Sequence, residues 1–388
     1  MIFRILVTGL FLTMSGLVRG AEPLVLWHRF NPDESLVLDR LLQEVAVRRS
    51  IRIRAEFVED PAIALIKARA VGRLPAAVIG PGDLVGLSRT LNYSAIPPGM
   101  LPARADPRIA WQKSAGPARA IPLLRGNHLM LFYNKALIHP LPATFAALRK
   151  KRPQPGRWLL TWDYREPYYL WPFFAAFGAA IISESGEPEL GTSFVEALRF
   201  YRTLLEDGLL KPDCDHQCAK RTFYDGQALV LMGGDWDFKE AWKHLGTDLG
   251  VAPLFKVNGH SLRPLTTGRA LFFPDDALNG RRGHDLKAVV KALLSPRGQR
   301  LLAAAGMLPV TAGITVRGMP ADLVQASLLQ LEQAVPLRHP EKMTVMWHVL
   351  HKGMGIAFRG RVPLPELAGR LETLARNGFA GEARNENP

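Results

Sequence analysis

The chain has 388 residues, 48% hydrophobic and 22% charged, which is ordinary globular composition and enough length for two domains. Its formal net charge of +14 would suit nucleic acid, an anionic membrane or acidic solutes. The one compact basic run is Lys150 to Arg152 and no nucleic-acid motif accompanies it, so a dispersed, solvated, Arg-rich surface is the reading.

Met1 to Gly20 reads as a secretory signal peptide, with Arg4 near the start, an apolar stretch to Val18 and small Gly20 before Ala21. Arg19 near the cleavage point keeps an uncleaved anchor open as the alternative. Losing Arg4 and Arg19 with this segment would take the formal charge from +14 to +12. No cysteine follows the leader, which argues against a lipid-anchored form. Later apolar runs are too short to span a bilayer.

Leu24 to Trp27 is predicted as a short buried strand. Asn31 at N-cap, Pro32 at N1 and Glu34 at N3 then start a helix whose apolar stripe is Leu38, Leu41, Leu42 and Val45. Ile51 to Phe57 alternates as a half-buried strand does, Asp60-Pro61 caps a second helix ending near Gly72, and Ala76 to Ile79 is a third strand. This β-α-β-α-β opening favours a parallel sheet wound by helices, with ligands beyond the strands' carboxyl ends at Arg29 to Asn31 and Gly80 to Asp83. Asp83 could equally cap the short helix that follows it. Ile121 to Leu124 and Leu129 to Tyr133 are strands flanking Arg125 to His128, a turn that suits either a hairpin or a passage between lobes.

A second α/β pattern follows: a helix near Thr144 to Lys150, a strand at Trp158 to Thr161, and then WDYREPYYLWPFFAAFG from Trp162 to Gly178 with eight aromatic side chains. Tyr and Trp combine a large apolar face with a polar tip, as a sugar-binding platform requires, whereas Phe173, Phe174 and Phe177 read as core. Ser193 to Glu206 is an amphipathic helix stopped by Gly208. Cys214 and Cys218 are the only cysteines; a disulfide is the default for an exported chain, with free thiols or a metal site including His216 as the other readings. Ala228 to Met232 is a strand leading through Gly233-Gly234 to Trp236, Leu249 to Leu254 and Arg269 to Phe273 are further strands, and Met343 to Ala357 is a late helix bearing Trp347, His348 and His351.

GxxxxGK[ST], GxSxG, HExxH and a strand-borne GxGxxG are all missing, which counts against phosphoryl transfer, serine hydrolysis, zincin chemistry and dinucleotide use. Glu166, Asp83, Asp235 and Asp275-Asp276 are carboxylates of the type glycosidases use, but no spacing along the chain establishes a catalytic pair.

LVLWHRF (24–30), LFYNKAL (131–137), EPYYLWP (166–172), FYDGQALVLMGGDW (223–236), SPRGQRLL (295–302) and MWHVLHKGM (346–354) together resemble the extracellular solute-binding proteins of ABC sugar importers, in the group that contains maltose-binding protein. The resemblance implies an α/β, two-lobed periplasmic binding protein fold with discontinuous lobes and an interlobe ligand cleft. Residues 21–125 and 265–318 would form the N-terminal lobe, and 126–264 with 319–388 the C-terminal lobe. It further implies a non-enzymatic, cofactor-free and metal-free periplasmic monomer that hands a carbohydrate to ABC permease subunits in the inner membrane and binds no nucleic acid. An exported carbohydrate-active enzyme and a sensory ligand-binding subunit are the competing readings.

Carried over position by position, Glu166, Tyr168, Tyr169, Trp236 and Trp347 match sugar contacts of the second lobe, and Asp83 matches an acid of the first. Asn31 and Asn127 stand where the family has carboxylates, Gly80 replaces an aromatic platform, and Leu84 stands where an arginine sits. These departures point away from maltose itself and towards a small neutral saccharide. Arg29, Arg125 and His128 keep an anionic sugar admissible.

Overall fold

The computed structural model describes residues 22–102, 116–151, 153–311, 313–358, 360 and 362–384. The predicted signal peptide lies outside the described residues. No described helix is long and apolar enough to cross a membrane.

Two separate sheets organise the molecule. The first has the order 53–57, 24–28, 77–81, 269–272, 121–124. Its first three strands are parallel, as the β-α-β-α-β pattern predicts, and Arg269–Phe272 runs antiparallel to both neighbours. The helix Pro32–Arg49 begins with the expected capping box, in which Asn31 Oδ1 accepts from Glu34 N at 3.0 Å and Glu34 Oε2 accepts from Asn31 N at 3.0 Å. Leu38, Leu41, Leu42 and Val45 pack from that helix onto Leu24 and Leu26, so the predicted stripe forms the core of this lobe. Asp60 caps Pro61–Ala70 through Ile63 N at 3.0 Å.

The second sheet has the order 249–252, 129–134, 228–234, 158–161. Only its last two strands are parallel. Beneath it, Trp162 Nε1 donates to Tyr201 Oη at 2.7 Å, and Phe174 stacks on Phe194 at 4.9 Å. Phe173 and Phe174 are buried, as predicted, while Phe177 is half-buried against the same core.

Ile121–Leu124 belongs to the first sheet and Leu129–Asn134 to the second, so the turn between them is a passage between lobes and not a hairpin. Gly126 (φ 88°) and Asn127 (φ 56°) reverse the chain there through the left-handed region. A second passage occurs at 262–268, and the chain, in the first lobe through Pro296–Ala304, is in the second from Ala321–Gln333. The first two are laced together: Gly126 O accepts from Gly268 N at 3.1 Å and from Thr266 Oγ1 at 2.6 Å.

The lobes meet across the cleft. A Cβ on Gly86 would lie 2.3 Å from Pro340 O, so only glycine permits that approach. On another part of the interface Asp33 accepts from Lys243 and lies 3.8 Å from Lys239.

Candidate functional site

The EPYYLWP segment folds as a helix, Pro167–Ala176, whose N-cap is Glu166. Glu166 Oε1 accepts from Tyr168 N at 3.2 Å, so the carboxylate singled out from the sequence also starts the helix that carries the rings. Pro172, inside the helix, leaves the carbonyl of Tyr168 without its i+4 donor.

Tyr168 and Trp171, three apart and therefore on one face, meet two rings from elsewhere. Tyr168 lies 6.1 Å from Trp236, which follows the strand Ala228–Gly234, and 6.4 Å from Trp347 on the helix Pro340–Ala357. Trp171 lies 5.9 Å from Trp347. All four rings are half-buried and form one continuous aromatic wall on the second lobe.

The polar residues close this wall against the first lobe. Trp347 Nε1 donates to Asp83 Oδ2 at 3.2 Å. Asn31 Nδ2 donates to Trp236 O at 3.3 Å. Tyr168 Oη lies 2.6 Å from Asn127 O and 3.0 Å from Leu265 O, so one phenol bridges the first two interlobe passages. Asn127 Nδ2 donates to Thr267 Oγ1 at 2.6 Å, and Asn127 N donates to Asp235 Oδ2 at 3.0 Å.

Asp83 sits in the turn Gly82–Leu87, whose first residues receive no side-chain cap, so the capping alternative does not hold. Its Oδ1 is buried without a hydrogen-bond partner. Burial is the largest influence on this carboxyl and raises its pKa above the ordinary carboxylate value, while its own backbone N–H, the Trp347 indole and Arg29 pull the other way. With the folded pKa raised, the burial penalty is absent below the unfolded value and complete above the folded one. Asp83→Asn is therefore expected to raise the thermal midpoint near neutral pH, with the gain shrinking as pH falls through the raised folded pKa and gone below about pH 4. Melts at both pH values check this, and a midpoint lowered at neutral pH would contradict it.

Glu166 is also raised by burial, opposed by His351, by Tyr168 N and by Arg29, with Asp163 adding to the rise. His351 Nε2 stands 3.5 Å from Glu166 Oε2. Arg29 thus lowers the pKa of both Asp83 of one lobe and Glu166 of the other through its charge.

Tyr169 is turned away from these groups. Successive helical residues diverge by about 100°, and Tyr169 is buried in the second lobe with its hydroxyl 2.9 Å from His216 Nδ1. Arg125 and His128 serve the passages: Arg125 Nε donates to Pro309 O at 2.9 Å, and buried His128 Nε2 lies 3.0 Å from Ser327 O. Of the cations that kept an anionic ligand open, Arg29 is the one whose charge bears on both Asp83 and Glu166. Cys214 and Cys218 form a disulfide.

Gly80 and Leu84 are one feature. A Cβ on Gly80 would lie 2.5 Å from Leu84 Cδ1, so the leucine occupies the space a side chain at position 80 would need. Trp171, within the aromatic stretch read as a platform, and His351, on the late helix, are the site members absent from the predicted ligand set. Spacing could have found both, since Trp171 is i+3 from Tyr168 and His351 is i+4 from Trp347.

No protein-family model matches the chain. The maltotriose-binding protein of Pyrococcus abyssi is 25% identical over 255 residues, 61% of this chain and 54% of that protein, so the match spans about half the length of that curated relative. The maltose/maltodextrin-binding domain MalE from Bdellovibrio bacteriovorus, bound to maltotriose, superposes with a TM-score of 0.81 at 24% identity over 92% of this chain and 100% of that one. The Thermus thermophilus maltotriose binding protein, bound with maltotriose, gives 0.79 at 16% identity with the same coverage. The two-lobed α/β fold of these proteins is the fold of this chain.

Proposed function

We propose that this chain, built on the fold of the maltodextrin-binding proteins, is an exported solute-binding protein that captures a neutral saccharide and delivers it to an ABC importer. The observation that carries the reading is the wall of Tyr168, Trp171, Trp236 and Trp347, faced by Asp83 from the opposite lobe. Aromatic faces stack on the C–H faces of sugar rings, and buried polar groups at their edges satisfy hydroxyls. In this reading the bonds now joining Trp347 to Asp83 and Asn31 to Trp236 O are exchanged for bonds to the ligand.

Residues 21–125 and 265–318 are taken as one lobe and 126–264 with 319–388 as the other, after a leader at 1–20 that directs export to the periplasm. The ligand set is Asn31, Asp83, Asn127, Glu166, Tyr168, Trp236 and Trp347, with Trp171 added and Tyr169 acting from behind. The chain works as a monomer without catalysis, cofactor or nucleic acid, and ATP hydrolysis belongs to its partner subunits. Maltotriose, bound by the relatives, is the first sugar to try. Because Gly80 replaces a first-lobe platform and Leu84 fills the space beside it, glucans longer than three units should gain nothing over maltotriose.

Calorimetry against maltotriose, maltose, small neutral sugars and sugar phosphates tests the reading. Binding of a neutral sugar without hydrolysis, with a smaller radius of gyration at saturation, is expected. Turnover of the sugar would make the chain an enzyme; preference for a sugar phosphate, or no heat from any of the sugars, would overturn the proposal.

A further inference from the structure

The disulfide Cys214–Cys218 spans the start of the helix His216–Tyr224, where Asp215 Oδ1 caps the helix by accepting from Cys218 N at 2.8 Å. The first residue of that helix, His216, bridges two segments that each carry a ring of the aromatic wall. Its Nδ1 lies 2.9 Å from the hydroxyl of Tyr169, the neighbour of Tyr168. Its Nε2 lies 3.0 Å from Oδ1 of Asp237, the neighbour of Trp236.

Asp237 is 1% exposed, and its other oxygen accepts from Gly234 N at 3.1 Å, closing the turn 234–237. The indole of Trp236 folds back over this turn so closely that a Cβ on Gly234 would lie 2.3 Å from the ring. The turn therefore dictates where the Trp236 ring stands. Glycine is required at 234 for the same reason.

We infer that His216 is the positioning residue of the aromatic wall, setting the distance between the helix that carries Tyr168 and Trp171 and the turn that carries Trp236. It touches the cleft only through these neighbours. A carboxylate can only accept, so Nε2 carries a proton towards Asp237, and in the neutral ring Nδ1 accepts from the Tyr169 hydroxyl. In the imidazolium both nitrogens donate. Either state keeps both links, but the charged one strengthens the link to Asp237.

The charged and titratable groups around the ring are Asp215 and Lys220 from its own helix, Asp237 from the turn, and Asp163 and Tyr169 from the segment leading into and forming the platform helix. Lys220 Nζ lies 2.7 Å from Glu240 Oε2 and 3.8 Å from Asp237 Oδ1, the oxygen that His216 contacts. Burial, the largest single influence, lowers the His216 pKa, yet Asp237 through its charge and hydrogen bond outweighs it, Lys220 opposes and Asp163 assists, so the net shift is upward. The extra strength is complete below the ordinary histidine value and is lost as pH rises through the folded one.

The inference rests on the sugar-binding reading only where affinity is measured. The first readout is the Trp236 emission, obtained as the spectrum of each protein minus that of its Trp236→Phe counterpart, recorded without sugar. His216→Phe keeps a ring in place and makes neither bond. Its Trp236 emission should shift and become more accessible to acrylamide, and its Kd for maltotriose should rise about tenfold, as loss of a hydrogen bond to a charged group implies. His216→Gln, whose amide can still reach Asp237, should restore most of both. His216→Asn, which keeps acceptance from Tyr169 and gives up Asp237, should resemble the Phe variant and replaces it if that protein does not fold.

In the parent the Trp236 emission should also titrate with the imidazole above the usual histidine range, and in His216→Gln it should not. An unchanged Trp236 emission in folded His216→Phe or His216→Asn overturns the positioning role whatever the sugar. If the emission shifts as expected and the parent ignores maltotriose, the positioning role stands and the maltotriose reading falls.

Discussion

Trp347→Ala is expected to weaken maltotriose binding by about 2–3 kcal/mol, roughly 30- to 150-fold, because it removes a central ring and a cross-cleft donor together. The indole stands between Tyr168 and Trp171, and its Nε1 is the side-chain donor to Asp83. Trp347→Phe separates the two contributions by keeping an aromatic face and losing the N–H. If stacking dominates, calorimetry should find Trp347→Phe within about tenfold of the parent; equal loss in both variants would assign the effect to the indole N–H, which this reading turns from Asp83 to the sugar. Tyr168 admits the same dissection. Tyr168→Phe retains the ring and releases both passage carbonyls, so it should alter lobe closure more than affinity, and scattering with saturating maltotriose reads the difference. A ring lining an open cleft would leave ligand-free stability unchanged when removed, but here the tips of Tyr168 and Trp347 hold protein partners. Both Ala variants should therefore also melt at lower temperature without sugar.

Arg269→Met should cost about 3–5 kcal/mol of stability, since removing one partner of a buried ion pair strands the other. Arg269 Nη1 donates to Glu34 Oε2 at 2.9 Å, both side chains are buried, and the guanidinium lies 5.4 Å from the Phe30 ring centre. Burial is the largest influence on Glu34 and raises its pKa, with Arg269 the main opposing one. The penalty of a stranded Glu34 is present above its folded pKa and absent once it is protonated, so the deficit of Arg269→Met should shrink as pH falls into the carboxyl range. Pairing it with Glu34→Gln should recover much of the loss, because a neutral amide still satisfies Asn31 N less expensively than a lone carboxylate. Urea midpoints at constant m measure each step of this cycle. Additive losses in the double variant would mean that the two residues act independently.

Glu34 shows how a local signal and a tertiary one can occupy the same atom. Its place three residues after Asn31 marks a capping box in the sequence, and that box is present. Its partner Arg269 lies 235 positions away on a strand of the same lobe, and no periodicity connects them. Tyr169 makes the opposite point. It adjoins Tyr168 and matches a family sugar contact, yet helical geometry sends it into the core, where it meets His216. The segment Arg125 to His128 left a hairpin and an interlobe passage equally open, because strand patterning is the same on either side of both. Only the hydrogen-bond partners of Ile121–Leu124 and Leu129–Asn134, in different sheets, distinguish them.

By itself the sequence determined the capped helices, the parallel opening of the first sheet and the aromatic stretch, since each rests on interactions within a few residues or on a repeating apolar period. The tertiary structure alone decided which rings share a wall, that Trp347 satisfies Asp83 across the cleft, that Leu84 fills the space beside Gly80, and that His216 ties the Tyr168 helix to the Trp236 turn. The physical reason is that hydrogen bonds and ring contacts depend on separations of a few ångströms between groups dozens to hundreds of residues apart, and those separations exist only after the lobes have packed and come together.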